Sequence, residues 1–328
     1  MKFALYLLAL AAAAFALSFL FIIISRKKNI KWYSGSPSEG KFADVHGKKI
    51  LYRVRGKGEP IIVVVSAIGT SQAEWWPIQN EVGLKYRMIT WDRAGYGWST
   101  SEESIRSAEN ISNELDMILK IQRFKKPVYL VAHGTGTIYA RHYATTRPQN
   151  VAGALFINPS PMQLSHWLNT VNENEECCDS LKKTLKLKNK ASKGLFRIIP
   201  LFKGYQLDRR YSRDVVEHYT RMENYETMQL EFTQLQESLN EIEAAGSFPP
   251  IPLRVLYSAN ESLIREWIRN GTPEYSARQL GRLHHELSRD VLKLSPKATI
   301  HEIEGSGEYI HLSKPDILVK EMIELVKI

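Results

Sequence analysis

The 328-residue chain contains few cysteines: Cys177 and Cys178, which are adjacent. Adjacent cysteines rarely bridge each other without strain, so the sequence predicts no disulfide framework. Two cysteines are also too few for a cysteine-based zinc site. The sequence has no phosphate-binding glycine loop, no internal repeat and no nucleic-acid-binding module. We therefore expect no cofactor and no nucleic-acid partner.

The composition is that of a folded protein, with 44% hydrophobic and 24% charged residues. The formal net charge is +9. Without a nucleic-acid-binding module, this excess is best interpreted as a solvated surface near anionic lipid. The chain is long enough for one large α/β domain with an inserted subdomain.

An uncharged, almost wholly apolar run extends from Phe3 to Ile24. Because about 20 apolar residues span a bilayer as a helix, we predict a single-pass anchor over residues 1–28 that contacts membrane lipid. A cleaved signal peptide is the alternative, but its apolar region is typically about 7–15 residues long. The positive charges that follow the run place the soluble domain weakly on the cytoplasmic side: Arg26, Lys27, Lys28 and Lys31.

The soluble part alternates short apolar runs with helical patterns, which predicts a mostly parallel, doubly wound α/β sheet. A hairpin is predicted first, with His46-Gly47 at its turn. The further predicted strands are Pro60–Val65, Arg87–Trp91, Pro127–Ala132, Val151–Ile157, Leu253–Tyr257 and Ala298–Ile303. The predicted helices lie around Ile111–Gln122 and over Ala140–Thr146, Tyr275–Leu294 and Asp316–Val326.

The alternation breaks over residues 162–249, which form a largely helical stretch between two predicted strands. We interpret this stretch as a cap inserted into the sheet domain, and expect it to pack onto that domain. The predicted core is thus divided into residues 29–161 and 250–328.

Three segments carry a family resemblance. Residues 91–99, Trp-Asp-Arg-Ala-Gly-Tyr-Gly-Trp-Ser, resemble the D-R-x-G-x-G-x-S signature that follows the fourth strand of α/β-hydrolases. Residues 129–136, Tyr-Leu-Val-Ala-His-Gly-Thr-Gly, resemble the strand-to-helix turn that this family calls the nucleophile elbow. Residues 305–312, with Pro315 after them, resemble the segment that carries the catalytic histidine. The resemblance covers about residues 40–328 and is nearest to anchored, capped bacterial members.

The resemblance implies an activated hydroxyl, a histidine and an orienting acid. Gly134 occupies the position of the nucleophile and has no side chain that can attack a substrate. Glu308 occupies the position of the histidine. Since the elbow nucleophile sits in a strained backbone conformation, glycine relieves that strain once the chemistry is lost. The two substitutions predict the loss of serine-hydrolase activity.

The position of the acid is ambiguous. Glu261 lies nearest the usual place after the seventh strand, beside Asn260, and Asn158 occupies the other place that the family uses. Thr135 is a poor substitute nucleophile, because its side chain is expected to point away from the substrate. His133 and His311 are interpreted as structural residues.

The backbone N–H groups of Ile68 and Thr135 match the oxyanion-hole donors of the family. Since such donors need no particular side chain, a pocket for an anion or carbonyl group is expected to persist. Trp75 and Trp76 either line that pocket or belong to the ordinary core.

Three functions remain open. The first is a non-catalytic, small-molecule-binding or regulatory protein that uses the old pocket for an apolar ligand. The second is a hydrolase or lyase of altered mechanism, in which Glu308 acts as a base on an ester-like or carbonyl substrate. The third is a scaffold.

Overall fold

The computed structural model describes residues 6, 10–21, 24, 35–100, 105–160, 180–193, 195–197, 202 and 204–327. Both cysteines and the start of the predicted cap at residue 162 lie outside this set.

The strands are β1 Lys41–Val45, β2 Lys48–Arg55, β3 Ile61–Val65, β4 Arg87–Trp91, β5 Val128–His133, β6 Val151–Ile157, β7 Leu253–Ser258 and β8 Ala298–Ile303. The α-helices, numbered from the first one after β3, are α1 Trp76–Val82, α2 Ala108–Ile121, α3 Gly136–Thr146, α4 Ser180–Ser192, α5 Ser212–Thr220, α6 Met222–Thr233, α7 Leu235–Ala245, α8 Asn260–Arg269, α9 Glu274–Arg289, α10 Ile310–Ser313 and α11 Pro315–Val326. Short 3-10 helices cover Gln72–Trp75, Pro148–Asn150, Leu195–Arg197 and Asp290–Leu294.

The strands form one eight-stranded sheet in the order β1-β2-β4-β3-β5-β6-β7-β8. Strands β3 to β8 pair in parallel, while β2 is antiparallel to both β1 and β4. The β1–β2 turn has positive φ at His46 and Gly47, as a tight hairpin of this twist requires. The predicted hairpin and the mostly parallel sheet are therefore confirmed.

Strand β3 shows why the sheet needs cover on both faces. Its residues are all buried, and alternate side chains point to opposite faces. Ile61, Val63 and Val65 pack in the cluster that contains α2 and α3. Ile62 and Val64 pack in a second cluster with residues of α1 and α11. A continuous apolar run is thus the expected sequence of a doubly covered strand.

Helices α4 to α7 lie in the chain between β6 and β7, within the stretch predicted to be the cap. Helix α6 contacts loops at the carboxyl ends of the strands: a Cβ built at Gly69 would lie 2.7 Å from the Met228 side chain. The exact domain boundaries at residues 162 and 249 stay predictions.

The expected membrane anchor is not supported. Among the residues that the structure describes, no helix is long and apolar enough to cross a membrane. This finding contradicts the single-pass anchor over residues 1–28 and the predicted membrane localisation. The remaining residues of that segment lie outside the described set.

Candidate functional site

The elbow connects β5 directly to α3, with Gly134 at its apex. Gly134 has a φ of +52°, the left-handed conformation that side chains rarely adopt. Its N–H donates to the carbonyl of Ile157 at 3.0 Å, and its own carbonyl accepts from the N–H of Thr137 at 3.1 Å. The backbone therefore keeps the sharp turn of a nucleophile elbow, although the residue at its apex offers no functional group.

The space around Gly134 is tight but not closed. A Cβ built there would lie 3.3 Å from the Cβ of Ala67. A small side chain would therefore require Ala67 to move by a few tenths of an ångström and would keep the unfavourable φ. Sterics disfavour a side chain here without forbidding one.

One expected oxyanion-hole donor already has a partner within the chain. The Ile68 N–H donates to the Thr135 hydroxyl at 2.7 Å. The Thr135 side chain therefore turns towards the oxyanion loop and takes up a hydrogen bond that a bound carbonyl oxygen would otherwise receive.

The segment at the predicted histidine position is held through its backbone. Glu308 is exposed, and its carbonyl accepts from His133 Nε2 at 3.0 Å and from Asn158 Nδ2 at 2.9 Å. His133 is 1% exposed. Burial, together with the neighbouring His311, lowers the pKa of His133 to about 3. The structure thus brings the predicted position 308 beside the elbow, while the Glu308 side chain lies at the surface.

Asn158 contacts this segment from one of the two predicted acid positions, directly after β6. Its Nδ2 donates to the carbonyls of Gly307 and Glu308, and its Oδ1 accepts from the Ser258 N–H at 2.8 Å. A carboxylate could accept the hydrogen bond from Ser258 but could not donate to the two carbonyls. The amide is therefore suited to holding the backbone of this loop, which differs from the orienting role of a triad acid.

The other two candidate acid-site residues lie at the start of α8. Glu261 is exposed and forms an ion pair with Arg278 at 3.3 Å. Asn260 is half-buried, and its Oδ1 has no hydrogen-bond partner among the described residues. No helix was predicted over residues 260–269, although the spacing of Leu263, Ile264 and Trp267 is helical.

A carboxylate that sequence reasoning missed does reach the 308 segment. Glu266 of α8 is 2% exposed and accepts from the Glu308 N–H at 2.8 Å and from the Tyr205 hydroxyl at 2.7 Å. Gly307 lies against it, since a Cβ built at Gly307 would overlap the Glu266 carboxylate. In the sequence, the only indication of this contact was the position of Glu266 within an amphipathic helical pattern.

Trp75 and Trp76 are both fully buried. The Trp75 ring stacks on His311 with 4.4 Å between centroids. The Trp76 ring lies edge-on to Tyr211 at 5.2 Å and beneath the Arg53 guanidinium at 5.1 Å. These contacts place both rings in packed clusters, and their role in lining a pocket stays a prediction.

His311 is paired with a buried acid that the sequence did not single out. Its Nε2 lies 3.1 Å from Oε2 of Glu74, and both side chains are fully buried. The other carboxylate oxygen of Glu74 accepts from the Tyr219 hydroxyl at 2.8 Å and from the Ser71 N–H at 2.9 Å. Burial raises the pKa of Glu74 and lowers that of His311 to about 3.

Buried ion pairs join the D-R-A-G-Y-G-W-S loop to α6. Arg93 donates from Nε and Nη2 to the two carboxylate oxygens of Glu231 at 2.9 and 2.8 Å. Arg106 contacts the same carboxylate at 3.3 Å and pairs with Glu114 at 2.6 Å. Because Glu231 is wholly buried, its ion pair with Arg93 holds α6 against the loop of the D-R-A-G-Y-G-W-S signature.

No group of three or more metal-ligating side chains lies together within the described residues. The site thus has a sharp strand-to-helix turn with glycine at its apex, and one predicted oxyanion-hole donor, the Ile68 N–H, is already engaged. That residue 134 is the nucleophile position stays a prediction.

Comparison with known proteins gives the family. Residues 62–321 match the model of the Alpha/beta hydrolase family. An AB hydrolase superfamily protein of Gibberella zeae is 22% identical over 298 residues, which cover 82% of this chain and 87% of that protein. The uncharacterized protein YqjL of Bacillus subtilis is 27% identical over 106 residues, or 32% of this chain and 42% of YqjL.

Solved structures agree on the fold. The epoxide hydrolase VrEH1 from Vigna radiata superposes with a TM-score of 0.67 at 14% identity, over 88% of this chain and 98% of that one. The enol-lactonase from Burkholderia xenovorans LB400 gives a TM-score of 0.60 at 15% identity, over 88% of this chain and all of that one. Such low identities establish only the fold, whereas the family model covers most of the sequence. The chain belongs to the alpha/beta hydrolase family.

Proposed function

We propose that this protein is a non-hydrolytic member of its family that acts by binding a small molecule, as a binding or regulatory protein. The observation that carries the proposal is Gly134 at the apex of an otherwise intact elbow. Serine hydrolysis needs a covalent nucleophile at this point, and glycine supplies none.

Two further contacts support the proposal. The Thr135 hydroxyl already accepts from the Ile68 N–H, so one donor for a developing oxyanion is engaged in the resting protein. The 308 segment is held by hydrogen bonds to its backbone from Asn158 and His133. Neither contact orients a base towards residue 134.

The altered mechanism with Glu308 as a base is less well supported. A catalytic carboxylate is usually kept in a dry pocket that tunes its proton affinity. Glu308 is exposed, and Glu261 is exposed and paired with Arg278. Neither acid has the enclosed environment that this mechanism requires.

Ester hydrolysis tests the proposal. Wild-type protein should hydrolyse p-nitrophenyl acetate and butyrate no faster than the Glu308→Gln variant, because neither protein has a nucleophile. The double variant Gly134→Ser/Glu308→His is the matched gain-of-function control and should show measurable esterase activity. A wild-type rate well above that of Glu308→Gln would contradict the proposal and support the altered mechanism.

A further inference from the structure

The segment Gly35–Glu39, which precedes β1, has no regular secondary structure of its own. Within the part of the chain that the structure describes, no backbone–backbone hydrogen bond holds these five residues. They are attached to other elements through side chains: the Gly35 carbonyl accepts from Trp98 Nε1 at 2.8 Å, and Glu39 pairs with Arg53 at 2.8 Å. A segment held in this way opens at a lower free energy than the packed core.

A further attachment joins this segment to Asp214, in the first turn of α5. Ser38 donates its N–H to Asp214 Oδ1 at 2.8 Å and its hydroxyl to Oδ2 at 2.6 Å. Asp214 is 2% exposed, and no other described residue donates a hydrogen bond to it. A buried carboxylate without donors is costly. If Ser38 leaves, the free energy therefore favours movement of the first turn of α5 towards water.

The same segment is linked to the other end of α5 through Trp98. The Trp98 indole donates to the Gly35 carbonyl. Arg221 directly follows α5, and its guanidinium carbon lies 5.5 Å from the centre of a Trp98 ring. Both ends of α5 are thus joined to Gly35–Glu39, the first end directly and the second through a tryptophan.

The start of α5 also forms part of the wall of a cavity of about 250 Å³. Tyr211, directly before α5, and Val215, next to Asp214, line this cavity together with Glu74 and Leu312 of the core. Val215 is 2% exposed. Movement of the first turn of α5 therefore changes the width of the cavity and its access from solvent.

We propose that residues Gly35–Glu39 form a strap that keeps α5 closed over this cavity, and that release of the strap opens the cavity to a small molecule. The Asp214 carboxylate couples the two movements, because both of its hydrogen bonds come from the strap. The inference rests on the proposed small-molecule-binding function and adds a control of access to it.

Labelling with N-ethylmaleimide, followed by intact-protein mass spectrometry, tests the strap in a full-length chain that carries Cys177→Ser and Cys178→Ser. Val215→Cys reports on the cavity, and Val131→Cys, at a fully buried position of β5, reports on the core. Ser38→Ala should speed labelling at position 215 at least about tenfold and leave labelling at position 131 unchanged. The control Ser192→Ala removes an exposed hydrogen bond in α4 and should change neither rate. Unchanged labelling at 215, or equal acceleration at 131, would overturn the inference.

A second variant separates the buried charge from ordinary packing. Asp214→Asn keeps the shape of the side chain but removes its charge, and an amide that loses a partner costs less than a carboxylate. Ser38→Ala/Asp214→Asn should therefore be labelled at position 215 at least about threefold more slowly than Ser38→Ala alone. Equal or faster labelling would contradict the coupling through Asp214. Such a failure leaves the proposed loss of hydrolysis standing, whereas ester hydrolysis by the wild type would contradict that proposal alone.

Discussion

Gly136 and Gly134 lie two residues apart in the elbow, but different constraints act on them. A Cβ built at Gly136 would overlap the backbone carbonyl oxygens of Val65 and Ser66, although the φ of Gly136 is not positive. At Gly134 the φ is +52°, and the nearest obstacle is the Ala67 Cβ at 3.3 Å. Packing therefore requires glycine at 136, while at 134 it only favours glycine.

The same contrast separates the packed signature residues from the predicted triad positions. Arg93 keeps the family signature and is committed to a buried ion pair with Glu231. Three of the predicted triad positions, 134, 158 and 308, hold Gly, Asn and Glu, and these residues fit the turn and its hydrogen bonds. Motifs that are fixed by packing thus identify a fold, whereas activity depends on positions that packing leaves variable.

The largest expected effect is a difference in stability between alanine variants of the two glycines. Gly136→Ala should destabilise the protein by about 3 kcal/mol or more, since a backbone carbonyl must move to admit the methyl group. Gly134→Ala should cost about 1–3 kcal/mol, mainly from the positive φ. Urea denaturation followed by circular dichroism measures both. Equal losses would show that the two positions are constrained alike.

The second prediction concerns the scaffold ion pair. Glu231→Gln should cost about 3–5 kcal/mol, because Arg93 and Arg106 then stay buried without their shared counter-charge. The matched control Glu226→Gln removes an exposed pair with Lys188 and should cost less than about 1 kcal/mol. Chemical denaturation at pH 7 compares the two variants, and a small effect of Glu231→Gln would argue that the contact is dispensable.

The Glu231 pair also has a pH signature. Burial alone would raise the pKa of Glu231, but Arg93 and Arg106 bring it below its usual value of 4.5. A lowered folded-state pKa gives stability that is present above pH 4.5 and is lost as the pH falls through the folded value. The difference in unfolding free energy between wild type and Glu231→Gln should therefore be constant near neutral pH and shrink below about pH 4.5.

The smallest effect is expected at Asn158, one of the predicted acid positions. Asn158→Asp should cost about 1–3 kcal/mol at pH 7, because a carboxylate faces the carbonyls of Gly307 and Glu308 without a proton to donate. Protonation would restore one donor, so the cost should decrease at lower pH. Asn189→Asp on the exposed surface of α4 is the control and should change stability by less than about 0.5 kcal/mol. If Asn158→Asp were as stable as the wild type at pH 7, this result would contradict the proposed role of the amide in holding the backbone.

Much of the fold could be predicted from the sequence because burial on both faces leaves continuous apolar runs. Strands β4, β6 and β8 have the predicted bounds. Helix α3 begins at Gly136, earlier than the predicted Ala140, since the elbow passes directly into its first turn. The long helix predicted over Tyr275–Leu294 ends at Arg289, and a 3-10 turn follows it.

The site was less predictable because its contacts are between segments far apart in the chain. The predicted role of residue 134 rests on motif register alone, whereas the Thr135–Ile68 hydrogen bond depends on a side-chain rotamer. The Glu74–His311 pair joins residues more than 200 positions apart, and the two residues carry no local pattern that would connect them. Glu266 was overlooked because no helix was predicted over residues 260–269.

The most direct test of the central claim is labelling with a fluorophosphonate probe, followed by intact-protein and peptide mass spectrometry. The wild-type protein should carry no adduct, whereas Gly134→Ser/Glu308→His should gain one on the peptide that contains residue 134. A covalent adduct on the wild-type chain at Thr135, or at any residue near the elbow, would show that a working nucleophile is present and would contradict the proposed loss of hydrolysis.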